Sequence, residues 1–213
     1  MDSGVDAFEK TKSSAIVSPT LSKSLLRLRK LIIISLFSSL SFLIMSYLEF
    51  SLLPSFPMLK YDASDVPALI LGFSMGTSAG IYVMILKNFM YLLLSGKGFT
   101  YLGIGPFMNC LAGSAMVFVA TKVYFLKPGK KTAILGLTIG TLFMTLIMVP
   151  INYLLLSILP VLFPYLSDYF SPDKALIFIF SGVLPFNLLK GFLTSVFSFF
   201  LYKKISPFIK FTV

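Results

Sequence analysis

The chain has 213 residues, 57% of them hydrophobic and 12% charged, with 18 Lys and Arg against 8 Asp and Glu for a formal net charge of +10. That balance fits several bilayer crossings better than a soluble core. With a single cysteine, Cys110, and no histidine, a disulfide framework and a Cys/His metal cluster are excluded, and no metal site is expected.

Residues 1–26 are polar and mixed in charge, without the apolar centre and small-residue cleavage site of a secretory signal. They read as a mobile cytoplasmic tail ahead of a membrane domain over 27–213. A first span over about 27–50 follows the basic cluster Arg27, Arg29 and Lys30 and is uncharged from Leu31 to Leu48, long enough to cross. The outer loop 51–63 is a lid candidate: Pro54 and Pro57 stiffen it, Phe56 and Tyr61 can close over a flat ligand, and Asp62 and Ser64 are possible N-caps of the next helix. Next comes a glycine-rich stretch in which Gly72, Gly76 and Gly80 recur every four residues. It reads either as one long helix with a packing stripe or as a short helix, a break between Met75 and Ser78, and a second helix. Spans over about 104–126, 132–159 and 175–203 complete the chain, with Pro160 and Pro164 expected to end the fifth near residue 159.

Lysine and arginine collect in cytoplasmic loops, and this decides the count. Dividing the glycine-rich stretch into spans 64–75 and 77–95 gives six crossings with both termini cytoplasmic. Thirteen of the eighteen basic residues then lie inside, including Lys127, Lys130 and Lys131, and only Lys60, Lys97 and Lys174 outside. On this topology Glu49, Asp62, Asp65, Asp168 and Asp173 fall outside or at the outer boundary, and no span has a carboxylate in its interior.

Such a chain lacks the intramembrane acid of a proton relay. It has no phosphate-binding loop, because GKKT at Gly129–Thr132 has the wrong order. Nor does it carry paired carboxylates or a Ser/His or Cys/His pair for catalysis. Ser195 stands five residues from Lys190, a poor fit to one helix face. No catalytic residue is expected, and uphill transport would need energy from a partner.

Binding remains. Asn187 and Lys190 are three apart and share a helix face, and Asn152 lies at comparable depth in the preceding span. A lysine left in lipid costs about 2.5–3.5 kcal/mol, so Lys190 is expected to face the bundle interior, a cavity or a ligand. An asparagine offers donor and acceptor side by side, matching the imide edge of a flat heterocycle, and a lysine suits an electron-rich carbonyl or ring nitrogen. Two readings stay open for these groups: a ligand site, or interhelical glue in a structural or assembly subunit. Lys87, followed by Asn88 nearer the end of a span, either joins the site or snorkels.

Two segments resemble a known family. MLKYDASDVPALILGFSMGTSAGIYVMILKN (Met58 to Asn88) is similar to the signature of the riboflavin-specific S-components of energy-coupling-factor (ECF) vitamin transporters, and LPFNLLKG (Leu184 to Gly191) resembles their P-F-N-x-x-K-G motif. The resemblance runs from about Arg27 to Ile209. It implies a six-helix membrane bundle and a riboflavin pocket towards the outer side, lined by Asn152, Asn187 and Lys190 with Lys87 and parts of the first loop. It also implies assembly with a membrane T-component and two ATPase subunits. The flavin is then cargo, not a redox cofactor. Riboflavin and its phosphate ester, FMN, are not separated by these motifs; Lys60 and Lys97 are the outer-loop cations placed to meet an ester. On the first span, Ser35, Ser38 and Ser39 stand where related proteins carry the small residues that meet the T-component.

Overall fold

A computed structural model of the chain describes residues 19–99, 103–163 and 172–212. Helix α1 (Pro19–Tyr47) leads to a two-residue hairpin, β1 (Phe50–Ser51) and β2 (Lys60–Tyr61), paired antiparallel with Phe50 opposite Tyr61. Then follow α2 (Asp65–Met75), α3 (Thr77–Leu94), α4 (Ile104–Leu126) and α5 (Lys130–Leu162). The last span joins α6 (Pro172–Phe178), a π-helical turn (Ile179–Val183) and α7 (Leu184–Thr212). Among the described residues five helices are long and apolar enough to cross a membrane, and α2 is a shorter apolar helix.

Helix is what a bilayer demands of such sequences, since every backbone polar group needs a partner within the segment. Side-chain hydroxyls follow the same rule: Ser38 donates to the Ile34 carbonyl at 2.7 Å and Ser39 to that of Ser35 at 3.0 Å. Large apolar side chains such as Leu36, Phe107, Leu146 and Phe192 stay exposed on the outside of the bundle. In a membrane protein this is the lipid-facing belt.

The bundle is organised around its shortest helix. Helix α2 packs against α1, α3, α4 and α7, and Asp65 through Phe73 are all buried. It turns into α3 at Gly76, whose φ of 103° suits glycine and few other residues. Gly72 and Gly80 then lie back to back across the hairpin. A Cβ on Gly80 would stand 2.7 Å from the Ala68 carbonyl oxygen and 3.0 Å from the Gly72 Cα. The three glycines thus make a tight helical hairpin, not one long helix.

Three boundaries differ from the sequence reading. Helix α1 starts at Pro19, so residues 19–26 belong to it, and residues 1–18 of the expected tail lie outside the described residues. Helix α5 runs on to Leu162 with Pro150 and Pro160 inside it. A proline near the final turn removes one N–H without ending the helix, and the chain closes instead with the Phe163 N–H on the Leu159 carbonyl at 2.8 Å. Helix α7 extends to Thr212, beyond the expected end at 203.

Candidate ligand-binding site

The polar centre of the bundle is built on Asp65, the first residue of α2. Its carboxylate is 1% exposed, and two lysines converge on it. Lys87 of α3, wholly buried, donates to Oδ1 and to the Ser64 hydroxyl. Lys190 of α7 brings its Nζ to 3.2 Å from Oδ2 and donates to the side-chain amide oxygen (Oδ1) of Asn109 on α4. Asn109 in turn donates to the Asn88 oxygen at 3.2 Å, and Asn88 to the Met84 carbonyl at 2.8 Å. One connected network therefore ties α2, α3, α4 and α7 together, with two cations sharing one anion.

This overturns the expectation that Asp65 lies at the outer boundary and that no span has an interior carboxylate. Because α2 has only eleven residues, its first residue starts inside the bundle, at the level of two intramembrane lysines. The cost of burying a carboxylate is offset because it is paired twice. Gly113 on α4 makes the room: a Cβ there would lie 3.3 Å from Asp65 Oδ1 and within 2.0 Å of the Met84 side chain.

The expected site residues are distributed around this centre. Lys87 does not snorkel; it is part of the network. Asn187 is buried beside Lys190 on α7, its amide donating to the Val183 carbonyl at 2.8 Å, which leaves its oxygen free to accept. The π-helical turn just before it widens the helix at this point, a feature frequent at functional sites. Asn152 on α5 is half-buried and donates to the Met148 carbonyl at 2.8 Å, so it is not bonded into the Asp65 network. Ser195 pairs with Thr141 at 3.2 Å, away from any nucleophilic arrangement with Lys190.

The lid candidates close the other side. Tyr61 is 2% exposed, and its buried hydroxyl makes no hydrogen bond. Burial, with the nearby carboxylates of Asp65 and Asp62, pushes its pKa up to about 12. The Thr194 hydroxyl, one turn beyond Lys190, is buried beside it; the two hydroxyls interact without meeting full hydrogen-bond geometry, and that interaction offsets part of the upward shift. Phe56 meets Phe178 edge-on, with ring centroids 5.5 Å apart, and rests on Gly182, where a Cβ would touch its ring at 3.3 Å. Asp62 and Ser64 do not cap α2 through Ser64: Asp62 accepts the Ser64 N–H at 2.8 Å, and the Ser64 hydroxyl is taken by Lys87.

On α1, Ser35 and Ser39 are exposed, whereas Ser38 is 2% exposed and turned into the bundle. A surface stripe of small residues therefore includes the first two and not the third. Sequence reasoning also missed Asn109 and left Asn88 unassigned. The signal for Asn109 was there, a lone amide in an otherwise uncharged run (FMNCLAG).

Membrane-length helices around an occluded cluster of lysines, amides and unbonded hydroxyls define an integral membrane binding protein. The chain belongs to the ECF transporter, substrate-specific component family, whose profile it matches over residues 29–202. It is 35% identical to the riboflavin transporter RibU of Staphylococcus aureus (strain TCH60) over 183 residues, covering 85% of this chain and 93% of that one. It is 32% identical to the riboflavin transporter FmnP of Bacillus subtilis (strain 168) over 187 residues, covering 87% and 96%. A solved S component of a bacterial ECF transporter superimposes with a TM-score of 0.68 at 33% identity, over 86% of this chain and 99% of that chain.

Proposed function

We infer that this protein is the riboflavin-binding subunit of an ECF-type vitamin importer. The observation that carries the reading is the network around Asp65, which orients Lys190 beside Asn187 in the interior of the bundle. The relatives named as riboflavin transporters match along most of their length.

The chemistry follows from the groups present. Lys190 offers a fixed cation to an electron-rich carbonyl or ring nitrogen, and the free oxygen of Asn187 accepts an imide N–H. Tyr61 and Thr194 add buried hydroxyls with unused hydrogen-bonding capacity, and Phe56 with Tyr61 supplies aromatic surface from the lid. These residues bind and orient a flat heterocycle without reacting with it, so the flavin is cargo. Asn152 on α5 enters the reading only through the motif resemblance, its amide being bonded to the Met148 carbonyl of its own helix.

Six crossings with both termini cytoplasmic remain the topology best supported by the charges, with Lys127 in the loop between α4 and α5 and Lys122, Lys130 and Lys131 on the helix ends beside it. On that topology the lid is extracellular and the site fills from outside. The sequence has no nucleotide-binding loop, so delivery inward would require an ATP-driven energizing module. The family resemblance implies a T-component and two ATPase subunits for that role, with Ser35 and Ser39 on the face of α1 offered to the T-component.

Fluorescence-quenching titrations of purified Asn187→Ala and Lys190→Ala test the site. Each substitution is expected to weaken riboflavin binding by about tenfold or more, the loss of one buried contact of roughly 1.5–3 kcal/mol. Wild-type affinity in both folded variants would remove them from the site.

A further inference from the structure

At the lid end, Glu49 follows α1 and gathers donors from three segments. Lys60 of β2 stands 2.9 Å and Lys97, beyond α3, 3.2 Å from Oε1, while the Tyr91 hydroxyl donates to Oε2 at 3.1 Å. The carboxylate side chain is 12% exposed and the two lysines 49% and 56%. Burial raises the Glu49 pKa, but the bonds from Lys60, Lys97 and Tyr91 outweigh it and hold it below the ordinary glutamate value. The group is therefore an anion near neutral pH.

This cluster is the next charged layer out from the buried network. Tyr91 stands four residues beyond Lys87 on α3, about 6 Å along the axis, and Lys60 immediately precedes Tyr61 of the lid. A ligand whose ring engaged Asn187 and Lys190, with its side chain towards the lid, would bring the end of that chain towards this layer. Two half-exposed lysines there would ordinarily attract a phosphate. Here a mostly buried carboxylate stands between them and takes both.

We propose, resting on the riboflavin reading above, that Glu49 is a specificity-determining residue: by occupying Lys60 and Lys97 it withdraws them from a ligand phosphate and favours riboflavin over its 5′-phosphate. The carboxylate itself repels the ester, and the lysines it holds are not free to compensate. Because the ion pairs are partly exposed, the preference set here is modest and salt-sensitive.

The test is a pair of titrations, riboflavin and FMN, on detergent-purified full-length protein at low ionic strength. In Glu49→Gln the affinity for FMN relative to riboflavin rises by about threefold to tenfold, the size expected of freed surface cations. In the double variant Lys60→Ala, Lys97→Ala the ratio moves the other way by a similar factor, because a bare carboxylate then faces the phosphate. Both shifts shrink at about 1 M salt. A lid that is merely loosened weakens both ligands together and leaves the ratio at its wild-type value in both variants; that outcome, or a ratio that moves in the same direction in both, overturns the proposal. Wild-type protein that binds neither flavin overturns it too, and is distinguishable because it removes the riboflavin reading before any variant is compared.

Discussion

The two halves of the bundle, divided at Asp65, are held together by different forces. Towards the end that carries Gly76, the contacts are aromatic: Phe73 meets Tyr124 and Tyr202 edge-on with centroids 5.0 and 5.7 Å apart, and the two tyrosine hydroxyls are 3.2 Å from one another. Towards the lid, the contacts are ionic and amide, from the Asp65 network out to Glu49. The aromatic half is closed mainly by ring packing, with isolated hydroxyls such as those of Ser74 and Ser198 left buried and unbonded. The polar half differs in what it concentrates: two lysines and a carboxylate, all buried and joined to amides in one network. A bundle that only had to hold its helices together would gain little from that asymmetry, because a buried ion pair is a weak source of stability.

The comparison breaks most severely at Asp65. Asp65→Ala leaves two buried lysines without their anion and is expected to cost about 3–5 kcal/mol, the penalty for stripping one partner from a buried ion pair, with flavin binding lost as well. A thermal-unfolding series in detergent reads the first effect, and Asp65→Glu should recover part of it. Retention of wild-type melting by Asp65→Ala would mean that the lysines do not depend on it.

Next in size is the hairpin that carries the network. Gly80→Val drives a side chain into the Ala68 carbonyl and into Val117, itself 2.7 Å from the position of a Cβ. It is expected to destabilise by about 1–3 kcal/mol through overpacking. In the aromatic half, Tyr202→Phe removes one hydroxyl contact and should cost about 0.5–1.5 kcal/mol while leaving flavin affinity as it was. A change in affinity there would mean the halves are not separable.

The smallest effect is expected at the lid. Gly182→Ala presses on the Phe56 ring, which can shift because it sits on a loop, and should speed flavin release by less than about fivefold, as a cost under about 1 kcal/mol implies. Stopped-flow dissociation measures it. Acid acts on the same region with a fixed sign. Because the Glu49 pKa is depressed in the folded protein, its anchoring of Lys60 and Lys97 is complete above the ordinary glutamate pKa and is lost as the pH falls through the folded value. Flavin release rates should therefore be flat across neutral pH and rise only in acid.

Much of this was legible from local pattern. Lys190 and Asn187 stand out because a charge and an amide interrupt an apolar span at helical spacing, and the cost of an intramembrane lysine pointed it to the bundle interior, a cavity or a ligand without identifying the partner. The break at Gly76 followed from the charge count alone, since a glycine every four residues suits a packing stripe on one continuous helix. The depth of Asp65 was not legible in the same way. In sequence it stands three residues from Asp62 and beside a proline-rich loop, so neighbours assign it to the surface. Only the packing of an eleven-residue helix against four others carries it to the centre. Asn109 was missed for a different reason: its partners, Asn88 and Lys190, are 21 and 81 residues away, and the lone amide in FMNCLAG has no polar residue three or four positions away to point to them. Ser38 was grouped with Ser35 and Ser39 by proximity, although one residue of helix turns a side chain by about 100°.

The most direct test of the central claim is the absorption spectrum of extensively washed, detergent-purified protein, followed by a quenching titration with riboflavin. A retained flavin band with tight, saturable quenching is the predicted result. A folded, monodisperse sample with no band and no quenching would contradict it and leave the Asp65 network with a purely structural role.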